Sequence, residues 1–202
     1  MKAVFVDIET TGLDFDRHVA IDIGLIIVDL NDYSDMHEYT SCIRCDEADW
    51  WYSDPKALEV NGYSSLNHHK IAQDDWIVSE QIEAFLKKHE IVKGKAFFIC
   101  QNPSFDRPFF LQLMCHEKMI EMNLPYHWLD LASMYWMKFF GSYHENSYGI
   151  GCGYDVSLSK DSIAKSLGLP PEEKPHKAIG GARHLFQCYK AVSENRMCWP
   201  DK

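Results

Sequence analysis

Residues 2–14, KAVFVDIETTGLD, carry the decisive pattern of this chain. Four apolar residues in a row, Ala3–Val6, followed by Ile8 and a short polar exit, read as a buried strand. Two carboxylates, Asp7 and Glu9, close it. Alternate side chains of a strand share a face, so these two project the same way. Side by side and near a core they repel unless protonated or bridged by a cation, and hard oxygen donors of this kind suit Mg²⁺ or Mn²⁺. An Asp-x-Glu pair is also compatible with a plain strand end reaching solvent.

Outward from this strand, TTGLD reads as a turn. Residues 19–28, VAIDIGLIIV, form a second strand and Met36–Cys45 a weaker third. Short connections between them predict an antiparallel meander. Residues 46–78 read as an irregular, aromatic-rich insertion with a helical turn near Pro55–Val60. Residues 79–90, SEQIEAFLKKHE, begin with a serine cap and place Ile82, Phe85 and Leu86 at helical spacing. AFFIC at 96–100 reads as a buried strand, Ser104–Met119 as a helix with Pro108 tolerated in its first turns, and Tyr126–Leu131 as a short strand. Helices follow at Ala132–Phe140, Ser159–Leu167 and Gly181–Val192, with a Gly/Tyr-rich loop at 141–154. Three strands followed by a helix–strand–helix–strand alternation make an α/β domain, and one domain suits 202 residues.

Two further motifs carry chemistry. Asn102-Pro103-Ser104-Phe105-Asp106 follows a strand and opens a helix, and strand C-terminal ends are where α/β proteins place sites. Taken alone, Asp106 reads as charge compensation at a helix N-terminus. His176-Lys177-Ala178-Ile179-Gly180-Gly181-Ala182 precedes the last helix. A lone turn histidine is more often a surface residue than a base. In this order, however, FVDIETTGL, NPSFD and HKAIGGA resemble the motifs of the DEDDh (DnaQ-like) 3′-to-5′ exonucleases, from residue 2 to about 192. LSKDSIAKSLGLP also resembles that family's helix before its last motif.

The resemblance implies an RNase H-like fold with a mixed five-stranded sheet flanked by helices. It implies Asp7, Glu9 and Asp106 as ligands of two divalent ions, Mg²⁺ or Mn²⁺, that activate a water and stabilise the leaving oxygen of a terminal phosphodiester. His176 would take the proton from that water. Thr10, Gly12, Leu13, Asn102 and Phe105 fall where the family meets its substrate, single-stranded or frayed 3′ ends of DNA or RNA. A homodimer or a polymerase-type partner is implied as the assembly.

The chain departs from the family at one point. The family's fourth ligand, an aspartate in the last motif, falls on Gly181, and neither Gly180 nor Ile179 can replace it. Three expectations follow. Water replaces the ligand in a weakened enzyme; another acid, such as Asp155, Asp161 or Glu173, moves in; or catalysis is lost and binding of nucleic-acid ends or a protein is kept. Gly180-Gly181 also suits a tight entry into the last helix.

Composition narrows the classes. A net charge of −10 argues against a protein that grips long nucleic acid by phosphate neutralisation alone, yet suits a carboxylate-built metal site. Seven cysteines, an acidic N-terminus unlike a secretory signal and no long apolar run point to reduced thiols in the cytoplasm, away from membranes. Cys42 and Cys45, with His37 nearby, lack a fourth zinc ligand at suitable spacing and read as strand cysteines. Trp50, Trp51 and Tyr52, and Tyr143, Tyr148 and Tyr154, could stack on unpaired bases or pack insertions onto the domain. Phe109, Phe110, Leu113 and Met114 have core spacing.

Overall fold

The computed structural model describes residues 1–139 and 157–194. Strands β1 (Lys2–Thr10), β2 (Ala20–Asp29), β3 (His37–Cys42), β4 (Ala96–Cys100) and β5 (Trp128–Asp130) form a mixed five-stranded sheet in the order β3-β2-β1-β4-β5. The meander β1–β2–β3 is antiparallel, whereas β4 and β5 add in parallel on the other side of β1. Strand β1 is therefore central, and its alternation feeds two cores. Val4, Val6 and Ile8 face one layer with Ile23, Leu25 and Ile27, while Ala3 and Phe5 face the other with Ile26 and Val28.

The first layer is covered by helices α4 (Asp75–Lys88) and α5 (Pro103–Leu113), through Val78, Ile82, Leu86, Phe109, Phe110 and Leu113. Met114 is buried with them, so the core spacing expected for this stretch is real. The opposite layer is covered by α7 (Leu131–Phe139), α8 (Lys160–Ser166) and α9 (Ala178–Glu194). The architecture is the mixed, helix-flanked, RNase H-like sheet expected from the motifs.

Several boundaries differ from the sequence expectation. Residues 46–78 are not irregular. They hold three short helices, α1 (Glu47–Trp51), α2 (Pro55–Asn61) and α3 (Ser65–His68), each started by its own side-chain cap from Asp46, Asp54 or Ser64. Such turns are fixed by capping, not by apolar periodicity, so a periodic pattern does not mark them. Helix α4 begins at Asp75, four residues before the serine expected to cap it, and brings Val78 into the core. Ser104–Met119 is two helices: the backbone leaves helical geometry at Met114 and Cys115, and α6 (His116–Glu121) restarts beyond them. The last helix begins at Ala178, which puts Gly180 and Gly181 inside its first turn and not in a loop. The loop at 141–154, with Tyr143, Tyr148 and Tyr154, and also Asp155, lie outside the described residues.

Candidate active site

Strand register builds the site. Asp7 stands opposite Gly24 and Glu9 opposite Asp22, all on the face covered by α9. Gly24 lets that helix approach: a Cβ there would stand 2.3 Å from the Ala178 carbonyl oxygen. Asp22 fixes the helix start, since its Oδ2 accepts from the Ala178 N–H at 3.0 Å and from the Tyr63 hydroxyl at 2.8 Å. Burial raises the Asp22 carboxyl above its usual range against these two hydrogen bonds. The first turn of α9 is thus pinned directly over Asp7.

Gly181 acquires a reason at this point. A Cβ on Gly181 would lie 2.0 Å from Asp7 Oδ2, so the absent side chain is the space that the Asp7 carboxylate fills. Asp7 Oδ1 is bound by the Lys160 ammonium at 2.7 Å. The same ammonium reaches Glu172 Oε2 at 2.8 Å and the Gly181 carbonyl at 3.3 Å. Burial by itself would lower the Lys160 ammonium, but the Asp7 and Glu172 carboxylates overcome it and hold the group above the ordinary lysine range. Lys160 is therefore a fixed positive charge between two carboxylates.

Glu172 is a loop acid that stands beside Glu9 and Lys160. Its side chain is 3% exposed, and its backbone N–H donates to Asp161 Oδ1 at 3.0 Å. Of the alternatives named from sequence, Asp161 holds this loop instead of entering the site, and Glu173 is exposed to solvent. Neighbouring residues of an extended loop point opposite ways, so sequence alone could not choose Glu172 over Glu173. A signal for Lys160 did exist: a lysine at the first position of a helix meets the positive end of the dipole, an unfavourable placement without local anions.

Glu9, Glu172 and His176 offer ligand atoms that all lie within 4.8 Å of one another, the one such grouping of three among the described residues. Cys42 and Cys45 are not part of it. His37 sits at the opposite end of β3 from Cys42, against the His89 ring, so these three residues do not converge. His176 Nδ1 lies 3.9 Å from Glu172 Oε1, and both that oxygen and His176 Nε2 are buried without a hydrogen-bond partner. Burial first, then Asp7 and Glu172, push the Glu9 carboxyl up to about 8 despite the Lys160 charge. Asp106, buried at the start of α5, is pushed up to about 7 by burial and then by Asp7. A carboxylate cluster so short of counter-charge, with an orphaned buried oxygen, fits a divalent cation.

The remaining expected residues surround this centre. Thr10 shapes the turn after β1, its hydroxyl donating to the Gly12 carbonyl at 2.6 Å, and Gly12 is buried against the His18 ring. Leu13 is 74% exposed on that turn. Asn102 caps α5 by accepting from the Ser104 N–H at 3.1 Å, and Phe105 is half-buried against Phe109. Helix α2 props the His176 loop. The His176 N–H donates to the Val60 carbonyl at 3.0 Å, Lys177 Nζ donates to the Asn61 carbonyl at 2.8 Å, and Asn61 Nδ2 donates to the Thr10 carbonyl at 3.1 Å. The segment expected as an insertion is thus a strut between the first and last motifs. Trp51 and Tyr52 are exposed on it, whereas Trp50 lies edge-on to His68.

No protein-family model matches this sequence, and no curated protein does. Among solved structures, the chain is similar to Exonuclease I of E. coli in complex with a dT13 oligonucleotide (TM-score 0.71, 14% identity, covering 96% of this chain and 41% of that one). The zinc-bound E. coli Exonuclease I–ssDNA complex superposes equally well, at TM-score 0.71 and 15% identity over 95% of this chain and 40% of that one. The moderately thermophilic Exonuclease I of Methylocaldum szegediense gives TM-score 0.71 and 14% identity, over 96% of this chain and 41% of its own. At such identity the likeness is one of fold. The chain spans about two fifths of the length of these exonucleases.

Proposed function

We propose that this chain is a metal-dependent 3′-to-5′ exonuclease acting on the ends of single-stranded or frayed DNA or RNA, with residues 1–202 as one exonuclease-like domain. The observation that carries it is the gathering of Asp7, Glu9, Asp106 and Glu172 at the carboxyl ends of β1 and β4, beside a histidine with a free buried nitrogen. The shared fold with exonucleases solved on oligonucleotides supports it. The free thiols of Cys42, Cys45, Cys100, Cys115 and Cys188 suit a reducing compartment such as the cytoplasm.

Glu9 and Glu172, with Asp7 and Asp106 beside them, would hold Mg²⁺ or Mn²⁺, which when bound supplies charge neutralisation at the phosphate and an acidified water. The chain's own residues do the rest. His176 turns Nδ1 towards Glu172, and its unpartnered Nε2 accepts the proton of the attacking water. Lys160 holds Asp7 and Glu172 at fixed positions before substrate arrives. Leu13, exposed beside the carboxylates, lies against the terminal base, while Thr10, Gly12, Asn102 and Phe105 shape the two turns that flank the strand end.

The test is a 5′-labelled oligonucleotide, as DNA and as RNA, incubated with Mg²⁺ or Mn²⁺. Stepwise loss of 3′ nucleotides is expected, reduced by about 10²-fold or more in Asp7→Ala. Release of no nucleotide under any of these conditions would rule the activity out. One observation favours a second function: Lys160 and Gly181 together neutralise and enclose Asp7, which suits a catalytically silent homologue that binds nucleic-acid ends or a protein. A silent homologue would retain oligonucleotide with Ca²⁺ and turn over nothing with Mn²⁺.

A further inference from the structure

We infer that the Lys160 ammonium takes the place of one of two cations, so that this site binds a single divalent ion, held by Glu9 and the free oxygen of Glu172. The inference rests on the exonuclease proposal for the site's purpose and on the geometry for its count. Asp7 Oδ1 is taken by Lys160 at 2.7 Å, and Oδ2 faces the first turn of α9 at Gly181, filling the space a side chain there would need. With the ammonium seated on Oδ1, Asp7 does not offer both oxygens to a pair of ions. Lys160 also takes Glu172 Oε2 at 2.8 Å and leaves Oε1 alone.

That remaining oxygen points to the ion. Glu172 is nearly fully buried, and its Oε1 has no hydrogen-bond partner. Buried carboxylate oxygens without partners are rare because desolvation is costly, and a cation relieves the cost. Glu9 and His176 offer ligand atoms within 4.8 Å of a Glu172 carboxylate oxygen, so donors converge beside this group. Adding a second divalent ion beside a fixed ammonium would set three positive centres in one buried pocket, and their mutual repulsion opposes it. A mobile ion that can leave has been exchanged for a tethered charge that cannot.

Mn²⁺ titration of the chain, with free ion followed by electron paramagnetic resonance and heat by calorimetry, tests this without any turnover. About one Mn²⁺ per chain is expected, rising to about two in Lys160→Met, where Asp7 and Glu172 lose their internal counter-charge. Glu172→Gln, which keeps Lys160 on Asp7, is expected to weaken the single ion by at least about tenfold. Two ions or none on the unmodified chain would overturn the inference, as would an unchanged count in Lys160→Met or unchanged affinity in Glu172→Gln. The unmodified count and the Glu172→Gln affinity hold as tests even where Lys160→Met does not fold. Oligonucleotide cleavage, scored separately, distinguishes the two proposals. One ion without cleavage leaves the count standing and removes the exonuclease. Two ions with cleavage does the reverse.

Discussion

At the residue scale, Gly181 and Lys160 explain each other. In the resembled family an aspartate stands where this chain has glycine, and restoring it looks like a repair. The geometry argues otherwise. The Asp7 carboxylate already fills the volume in front of Gly181, and Lys160 ties it there. Gly181→Asp must displace Asp7 or bend the first turn of α9, and it adds a further negative charge near Glu9, which burial and then Asp7 already push up to about 8. The expected outcome is a loss of about 1–3 kcal/mol in urea unfolding and no gain in oligonucleotide cleavage. Higher stability together with faster cleavage would show that Asp7 is free to leave its present place.

At the element scale, the start of α9 depends on β2. Asp22 receives the first N–H of the helix from Ala178 and the hydroxyl of Tyr63, and Gly24 gives the helix room to approach the sheet. Asp22→Ala would leave two buried donors without an acceptor. A destabilisation of about 1–3 kcal/mol is expected in urea unfolding, with weaker Mn²⁺ binding because His176 and Gly181 lose their anchor. A change below about 0.5 kcal/mol would mean that water replaces the lost oxygen without cost. The short helices of residues 46–78 act at the same scale. Their caps are local, but Val60 and Asn61 at the end of α2 hold the His176 loop against the turn after β1.

At the scale of the whole molecule, the buried carboxyls set the response to pH. Glu9 rises from 4.5 to about 8 and Asp106 from 3.8 to about 7, both first through burial. An acid whose folded-state pKa is raised keeps its proton in the folded chain and releases it on unfolding. Its contribution is full below the unfolded value and is lost as pH rises through the folded one. Surface acids such as exposed Asp35 and half-buried Glu83 are held below their usual range by His37 and Lys118, and favour the folded state above about pH 4. The ion-free chain should therefore have a lower Tm at about pH 8 than at about pH 5.5, measured in EDTA. Mn²⁺ should raise Tm more at the higher pH, where it meets ionised carboxylates. A higher Tm at the higher pH in EDTA would contradict this account of Glu9 and Asp106.

The sequence by itself determined the strand that carries Asp7 and Glu9, the order of the five strands, the helix expected over Ser159–Leu167, and the three motifs that meet at one end of the sheet. These are local signals: alternation, helical period and capping are written within a few residues of where they act. The resemblance led to the expectation of an acid at Gly181, where the sequence has none. Only the tertiary structure brought Lys160 to Asp7, 153 positions away, and chose Glu172 over Glu173 and Asp161. It alone made a strut of residues 46–78. An ion pair between distant segments leaves no periodic trace along the chain, and a loop acid becomes a site residue only when burial and a neighbouring charge give it a partner.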